Sequence, residues 1–120
     1  MEAVKKFRCY VAGKLNADAC GYIQNCHRMI KVARELMGLG VAVYVPANDF
    51  LEGLVDGNFS YHDYFDNATP WLEVSDFMFV CPNWEGSSGT QKEIEFAKSI
   101  GKPIFFNIED LKYALNNQGI

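Results

Sequence analysis

Positive charge is scarce in this chain. Its 120 residues hold 11 Lys and Arg against 15 Asp and Glu, a formal net charge of -4. The basic surface needed by a sequence-independent nucleic-acid binder is therefore missing, and no nucleic-acid polymer is expected as a partner. Long apolar runs are missing too, since none approaches the ~20 residues of a membrane span. The opening Met1-Glu2-Ala3-Val4-Lys5-Lys6 also lacks the apolar segment of a secretory leader. A cytoplasmic protein without a membrane partner is the expectation. Cys9, Cys20, Cys26 and Cys81 form no C-x-x-C pair, and His27 and His62 stand apart from any ligand spacing. That removes the usual grounds for a metal site, so reduced thiols in or near the core, no metal and no cofactor are expected. No internal repeat, low-complexity tract or linker divides the chain.

What is present is enough apolar material for a core. At 49% hydrophobic and 22% charged residues, residues 1–120 read as one domain that needs no metal or disulfide to fold. Strand and helix patterns alternate along it. Phe7 to Ala12 reads as a first strand ending at Gly13. From about Tyr22 to Leu39, Ile23, Cys26, Ile30, Ala33 and Met37 recur at helical spacing, with Met29 and Leu36 beside them. Gln24, His27, Arg28, Lys31, Arg34 and Glu35 fall on the other side, and Gly38 and Gly40 close this amphipathic helix. Val41 to Val45 is a second strand stopped by Pro46. Ala47 to Asn58 reads as a loop over a site, and Ser60 to Ser75 as helix in two pieces, because Pro70 should break it. Phe77 to Cys81, Thr90 to Ile100, Pro103 to Phe106 and Asp110 to Asn117 complete the order as strand, helix, strand, helix.

Such alternation implies parallel strands joined by right-handed crossovers. The fold class is α/β, a doubly wound three-layer Rossmann-like sandwich around a mainly parallel four- or five-stranded sheet. The second strand lies on one side of the first and the third returns to the other. The gap between strands one and three is thus a topological switch point, where open α/β sheets bind ligands at the carboxyl ends of their strands. Tyr10, Ala12, Gly13 and Lys14 arrive there from the first strand and residues 82–90 from the third. The small-residue loop Ser87-Ser88-Gly89-Thr90 then opens a helix, which makes a cradle of hydroxyl and N–H donors for a sugar or phosphate.

Glu93 in that helix admits two readings. Thr90 with Glu93, or Ser88 with Gln91, satisfies the capping-box pattern, which would leave Glu93 without chemistry. At about 100° per residue, however, Glu93 shares the sheet-facing arc with Ala97 and Ile100, whereas Gln91, Glu95 and Lys98 fall on the far side. A carboxylate central in that arc is costly unless it has a task. Lys14 reads equally as a phosphate ligand or a solvated lysine. Trp84 could stack on a base or pack over the loop. Asn16 and Asp18 read as caps of the first helix, and Asp76 as a turn residue. The cluster Tyr61, Tyr64, Phe65 and Trp71 is most simply core or an oligomer face.

The segments Tyr10-Val11-Ala12-Gly13, Trp71-Leu72-Glu73-Val74-Ser75-Asp76 and Ser87-Ser88-Gly89-Thr90-Gln91-Lys92-Glu93, with Ala97 and Gly101-Lys102-Pro103 after them, resemble the nucleoside 2-deoxyribosyltransferase superfamily. Within it the chain most resembles the small DUF4406 type. The resemblance covers nearly all of the chain apart from Ala47 to Ser60. It implies cleavage or transfer of the N-glycosidic bond of a (deoxy)nucleoside or nucleotide, with Glu93 attacking the anomeric carbon and Tyr10 placing it. Ser87 stands where the free-nucleoside transferases carry a sugar-binding aspartate. A serine there resembles the 2'-deoxynucleoside 5'-phosphate N-hydrolases, in which this loop holds phosphate. The acid that assists the departing base should lie three positions before Trp71, yet that position is Ala68; Asp66, two residues earlier, can substitute only if the helix shifts around Pro70, and Asp63 is further off.

The expected site therefore comprises Glu93, Tyr10 and Asp66 for chemistry, and Gly13, Lys14, Trp84, Ser87, Ser88, Gly89 and Thr90 for binding. The ligand is a small nucleoside or nucleotide, and the resemblance implies a homo-oligomer. A non-catalytic protein that senses or sequesters a nucleotide-derived ligand is the alternative, which the Ala68 substitution favours.

Overall fold

A computed structural model describes residues 6–15, 19–46, 61–117 and 120. The expected cover Ala47 to Asn58 and the expected caps Asn16 and Asp18 lie outside the described residues, as does the side chain of Tyr61. The elements run β1 (Arg8–Ala12), α1 (Ala19–Gly38), β2 (Ala42–Tyr44), α2 (Tyr61–Val74), β3 (Phe77–Val80), α3 (Ser88–Ser99), β4 (Ile104–Phe105) and α4 (Ile108–Asn116). The strands form one four-stranded sheet in the order β2-β1-β3-β4, and every pairing is parallel. The fold is α/β and Rossmann-like, as the alternation predicts.

The chain steps one way from β1 to β2 and the other way through β3 to β4. Right-handed crossovers then put α1 on one face and α2 and α3 on the other. Strand alternation supplies each face with its own core. Cys9, Val11, Phe77, Phe79 and Cys81 meet Met29, Ala33 and Leu36 of α1 and Leu111 of α4. Tyr10, Ala12, Met78 and Val80 meet Ala68 and Leu72 of α2 and Ile94 and Ala97 of α3. Full burial of each large apolar side chain here contributes about 1.5–3 kcal/mol.

Both glycine-ended helices close in the same way. The Val41 N–H donates to the Leu36 carbonyl and the Gly40 N–H to the Met37 carbonyl, with Gly40 at φ 85°. This is a Schellman closure, which needs the left-handed conformation at Gly40. At the end of α3, Lys102 donates to Ala97 and Gly101 to Lys98, with Gly101 at φ 74°. At the other end of the sheet, Asp76 fastens β1 beside β3. Its carboxylate accepts from the Arg8 backbone N–H at 2.7 Å, and its own N–H donates to the Arg8 carbonyl at 2.8 Å.

Three features depart from the sequence reading. Pro70 does not divide α2, which runs unbroken from Tyr61 to Val74. Pro70 and Asp66, the residue whose carbonyl loses its N–H partner, are both exposed, so water can take up the lost bond and the helix tolerates the proline. On α1 the buried seam is Cys26, Met29, Ala33 and Leu36, whereas Ile23, Ile30 and Met37 are 57%, 49% and 60% exposed. The true seam has tighter 3-4-3 spacing, and the seven-residue row lies on its shoulder. On α3 the buried residues are Thr90, Ile94 and Ala97, and Ile100 is exposed as the C-cap. Glu93 thus stands at the rim of the buried arc instead of its centre.

Candidate functional site

An open cleft of about 640 Å³ lies at the carboxyl ends of β1 and β3, the switch point that the strand order creates. Gly13, Lys14 and Leu15 leave β1 along one wall, and Tyr64, Phe65 and Ala68 of α2 form another. Gly86 to Thr90, with Lys92 and Glu93, bring in the loop and first turns of α3. Gly13 is required by close approach. A Cβ there would meet the Cys81 Cβ at 3.0 Å and the Met29 methyl at 3.1 Å, so a side chain would push apart the strand ends that shape the cleft.

The N-cap of α3 is Ser87. Its hydroxyl oxygen accepts from the Thr90 N–H at 3.2 Å and from the Thr90 hydroxyl at 2.9 Å, and its carbonyl accepts from the Gln91 N–H at 3.0 Å. The helix therefore caps one residue before the Ser88 box and three before the Thr90 box read from the sequence, and Glu93 lies beyond the capping turn. Gln91 is occupied elsewhere, its side-chain amide donating to the Glu85 carbonyl. Ser87 keeps its own hydroxyl hydrogen to donate, and the Ser88 N–H of the first turn has no hydrogen-bond partner among the described residues. An anion in the cleft would meet those donors and the positive end of the helix dipole.

Glu93 is engaged by Tyr10. The Tyr10 hydroxyl donates a hydrogen bond to one oxygen of the Glu93 carboxylate. Tyr10 itself is 1% exposed, and its ring stacks on Tyr44 at 5.5 Å, which stacks in turn on Trp71 at 5.8 Å. A hydroxyl fixed by a packed ring and a central strand thus holds the carboxylate at the rim of the cleft. Glu95, two residues on, is exposed.

Most of the expected residues converge. Tyr10, Gly13, Lys14, Ser87, Ser88, Gly89, Thr90 and Glu93 all line the cleft. Asp66 does not: it lies on the exposed side of α2, 2.9 Å from His62 Nδ1. Because α2 is continuous through Pro70, the helical shift that would turn Asp66 inward does not occur. Trp84 is half-buried with its ring 5.4 Å from Phe106, which is the packing alternative, and it is not part of the cleft wall. Tyr22 and Lys92 line the cleft without having been singled out in the sequence. Lys92 adjoins Glu93 on the same helical turn, a signal that position alone could have supplied. Tyr64 and Phe65 belong to the cleft more than to any core.

Thiol chemistry is not on offer beside the cleft. Burial pushes Cys81 up to about 12, against a smaller opposing pull from Arg28, and burial likewise raises Cys9 to about 12. Neither is a thiolate nucleophile at neutral pH. Among the described residues no group of His, Cys, Asp and Glu could hold a metal ion, and no helix is long and apolar enough to cross a membrane.

Comparison with known proteins finds one family. The model of DUF4406, a domain of unknown function, matches residues 7–106. No curated protein and no solved structure matches the chain.

Proposed function

The chain belongs to the DUF4406 family, and from the pairing of Tyr10 with Glu93 we propose that it cleaves or transfers the N-glycosidic bond of a (deoxy)nucleotide, with Glu93 as nucleophile. The observation that carries this reading is the Tyr10 hydroxyl bonded to the Glu93 carboxylate at the rim of a switch-point cleft. That arrangement fits the resemblance to the nucleoside 2-deoxyribosyltransferases, in which the residues matching these two attack and position. One Glu93 oxygen attacks the anomeric carbon, the base leaves, and water or a second base displaces the enzyme with overall retention. Ser87, Ser88 and the start of α3 would receive the 5'-phosphate, with Lys14 and Lys92 at the cleft wall as counter-charges.

Incubation with a panel of nucleoside and deoxynucleoside monophosphates, followed by chromatography of the free base, tests the proposal. Release from at least one that disappears in Glu93→Gln is expected. No release from any, with unchanged ligand binding by Glu93→Ala, would sink it.

A second reading is favoured by one observation. Ala68, where the related enzymes carry an acid, lines the cleft at 5% exposure, as suits a protein that binds a nucleotide-derived ligand without turning it over. Multiple turnovers would exclude that reading.

A further inference from the structure

Breaking an ordinary N-glycosidic bond needs a group on each side of it. Retaining glycosidases set a nucleophile and an acid about 5 Å apart across the scissile bond. Here Glu93 is the one carboxylate in the cleft wall among the described residues. Tyr10 cannot be the acid, because its hydroxyl is bound to Glu93 itself and so lies on the nucleophile's side of the sugar. In-line displacement sends the base off the opposite side. The wall contributed by α2 is Tyr64, Phe65 and the small Ala68, and Phe65 is braced edge-on by Phe96 at 6.3 Å. Aromatic faces with a small residue between them hold a flat cation well through the ring quadrupole.

Resting on the N-glycosidase reading above, we infer that the preferred substrates are nucleotides whose base already carries positive charge, pyridinium or N7-alkylated purinium N-glycosides. Such a base needs no proton to leave. A Glu93 oxygen bonds to C1' as the C1'–N bond breaks, and the electron pair of that bond neutralises the ring nitrogen. Water then attacks C1' of the glycosyl ester, the C1'–O bond to Glu93 breaks, and the carboxylate is restored. One proton of the water passes to solvent, so nucleotide and water become sugar phosphate, neutral base and a proton. The base seats against Tyr64 and Phe65, and the phosphate lies toward Ser88.

Nicotinamide mononucleotide, 7-methylguanosine 5'-monophosphate and guanosine 5'-monophosphate separate the possibilities, with the ratio of cationic to neutral turnover as the readout. The two cationic nucleotides should release base at least about 10²-fold faster than the neutral one, the scale of general acid help. In Ala68→Asp, which places a proton donor in the α2 wall, that ratio should shrink. Should the buried substitution prevent folding, the comparison of methylated with unmethylated guanosine monophosphate on the wild-type protein decides alone. Equal rates on that pair, or release from neutral nucleotides only, overturn the inference and leave the N-glycosidase reading standing. No release from any of the three, together with none from the wider monophosphate panel, overturns both.

Discussion

The two faces of the sheet differ in what they are built to do, although the same strands supply both. Toward α1 and α4, β1 and β3 present Cys9, Val11, Phe77 and Phe79 to an apolar core. Toward α2 and α3 they present Tyr10, Ala12, Met78 and Val80, and the helices answer with Leu72 and Ile94 beside the small Ala68 and Ala97. The first face is filled by large side chains and carries stability. The second ends in the cleft, where the small Ala68 forms part of the wall and Tyr10 reaches Glu93. One step along β1, from Cys9 to Tyr10, crosses from one task to the other.

That division can be broken from either side. Phe79→Ala on the filled face should cost about 3–5 kcal/mol of stability while the KM of the folded fraction stays unchanged, which denaturant titration beside kinetics would read. Tyr10→Phe on the other face should do the reverse: turnover falls about 10²-fold, some 2.7 kcal/mol in the barrier, for the loss of one oriented donor. Stability should move far less than in Phe79→Ala, and a turnover equal to wild type would remove Tyr10 from the mechanism.

Alkaline pH probes the filled face through its thiols. Cys9 and Cys81 ionise near 9.0 in ordinary surroundings and only at about 12 in the fold. Their contribution is therefore complete below pH 9 and is lost as the pH rises toward 12, at about 1.4 kcal/mol per pH unit for each thiol. Urea midpoints across that window should fall, and Cys9→Ala should reduce the slope. The smallest effect is expected at the end of α3, remote from both cores. Gly101→Ala forces a side chain into φ 74°, which should lower stability by about 1 kcal/mol and leave ligand binding as it was.

The same contrast explains what was legible in the sequence. The strand and helix order was readable because apolar periodicity and the glycines at 40 and 101 report local physics. The switch point followed from that order, and with it the approach of Gly13, Ser87 and Glu93. Phase within a helix was less legible. Ile23, Ile30 and Met37 look as apolar as Cys26, Met29, Ala33 and Leu36, and only packing decides which row the sheet covers. Pro70 misled for a related reason, since whether it breaks a helix depends on whether water reaches the carbonyl it abandons. Asp66 was placed near the site by its distance in sequence from Trp71, and an unbroken α2 keeps it outside. Tyr22 is not legible in the sequence because its cleft position depends on how α1 packs on the sheet, whereas Lys92 could have been read from its place beside Glu93.

A search for the glycosyl bond proposed for Glu93 tests the account most directly. The protein, mixed with a turned-over nucleotide and quenched with acid within a single turnover, should yield on digestion a peptide containing Glu93 heavier by one sugar-phosphate unit. Glu93→Gln should show neither that adduct nor base release. Base release continuing undiminished in Glu93→Gln, with no adduct on the wild-type peptide, would contradict the role assigned to Glu93.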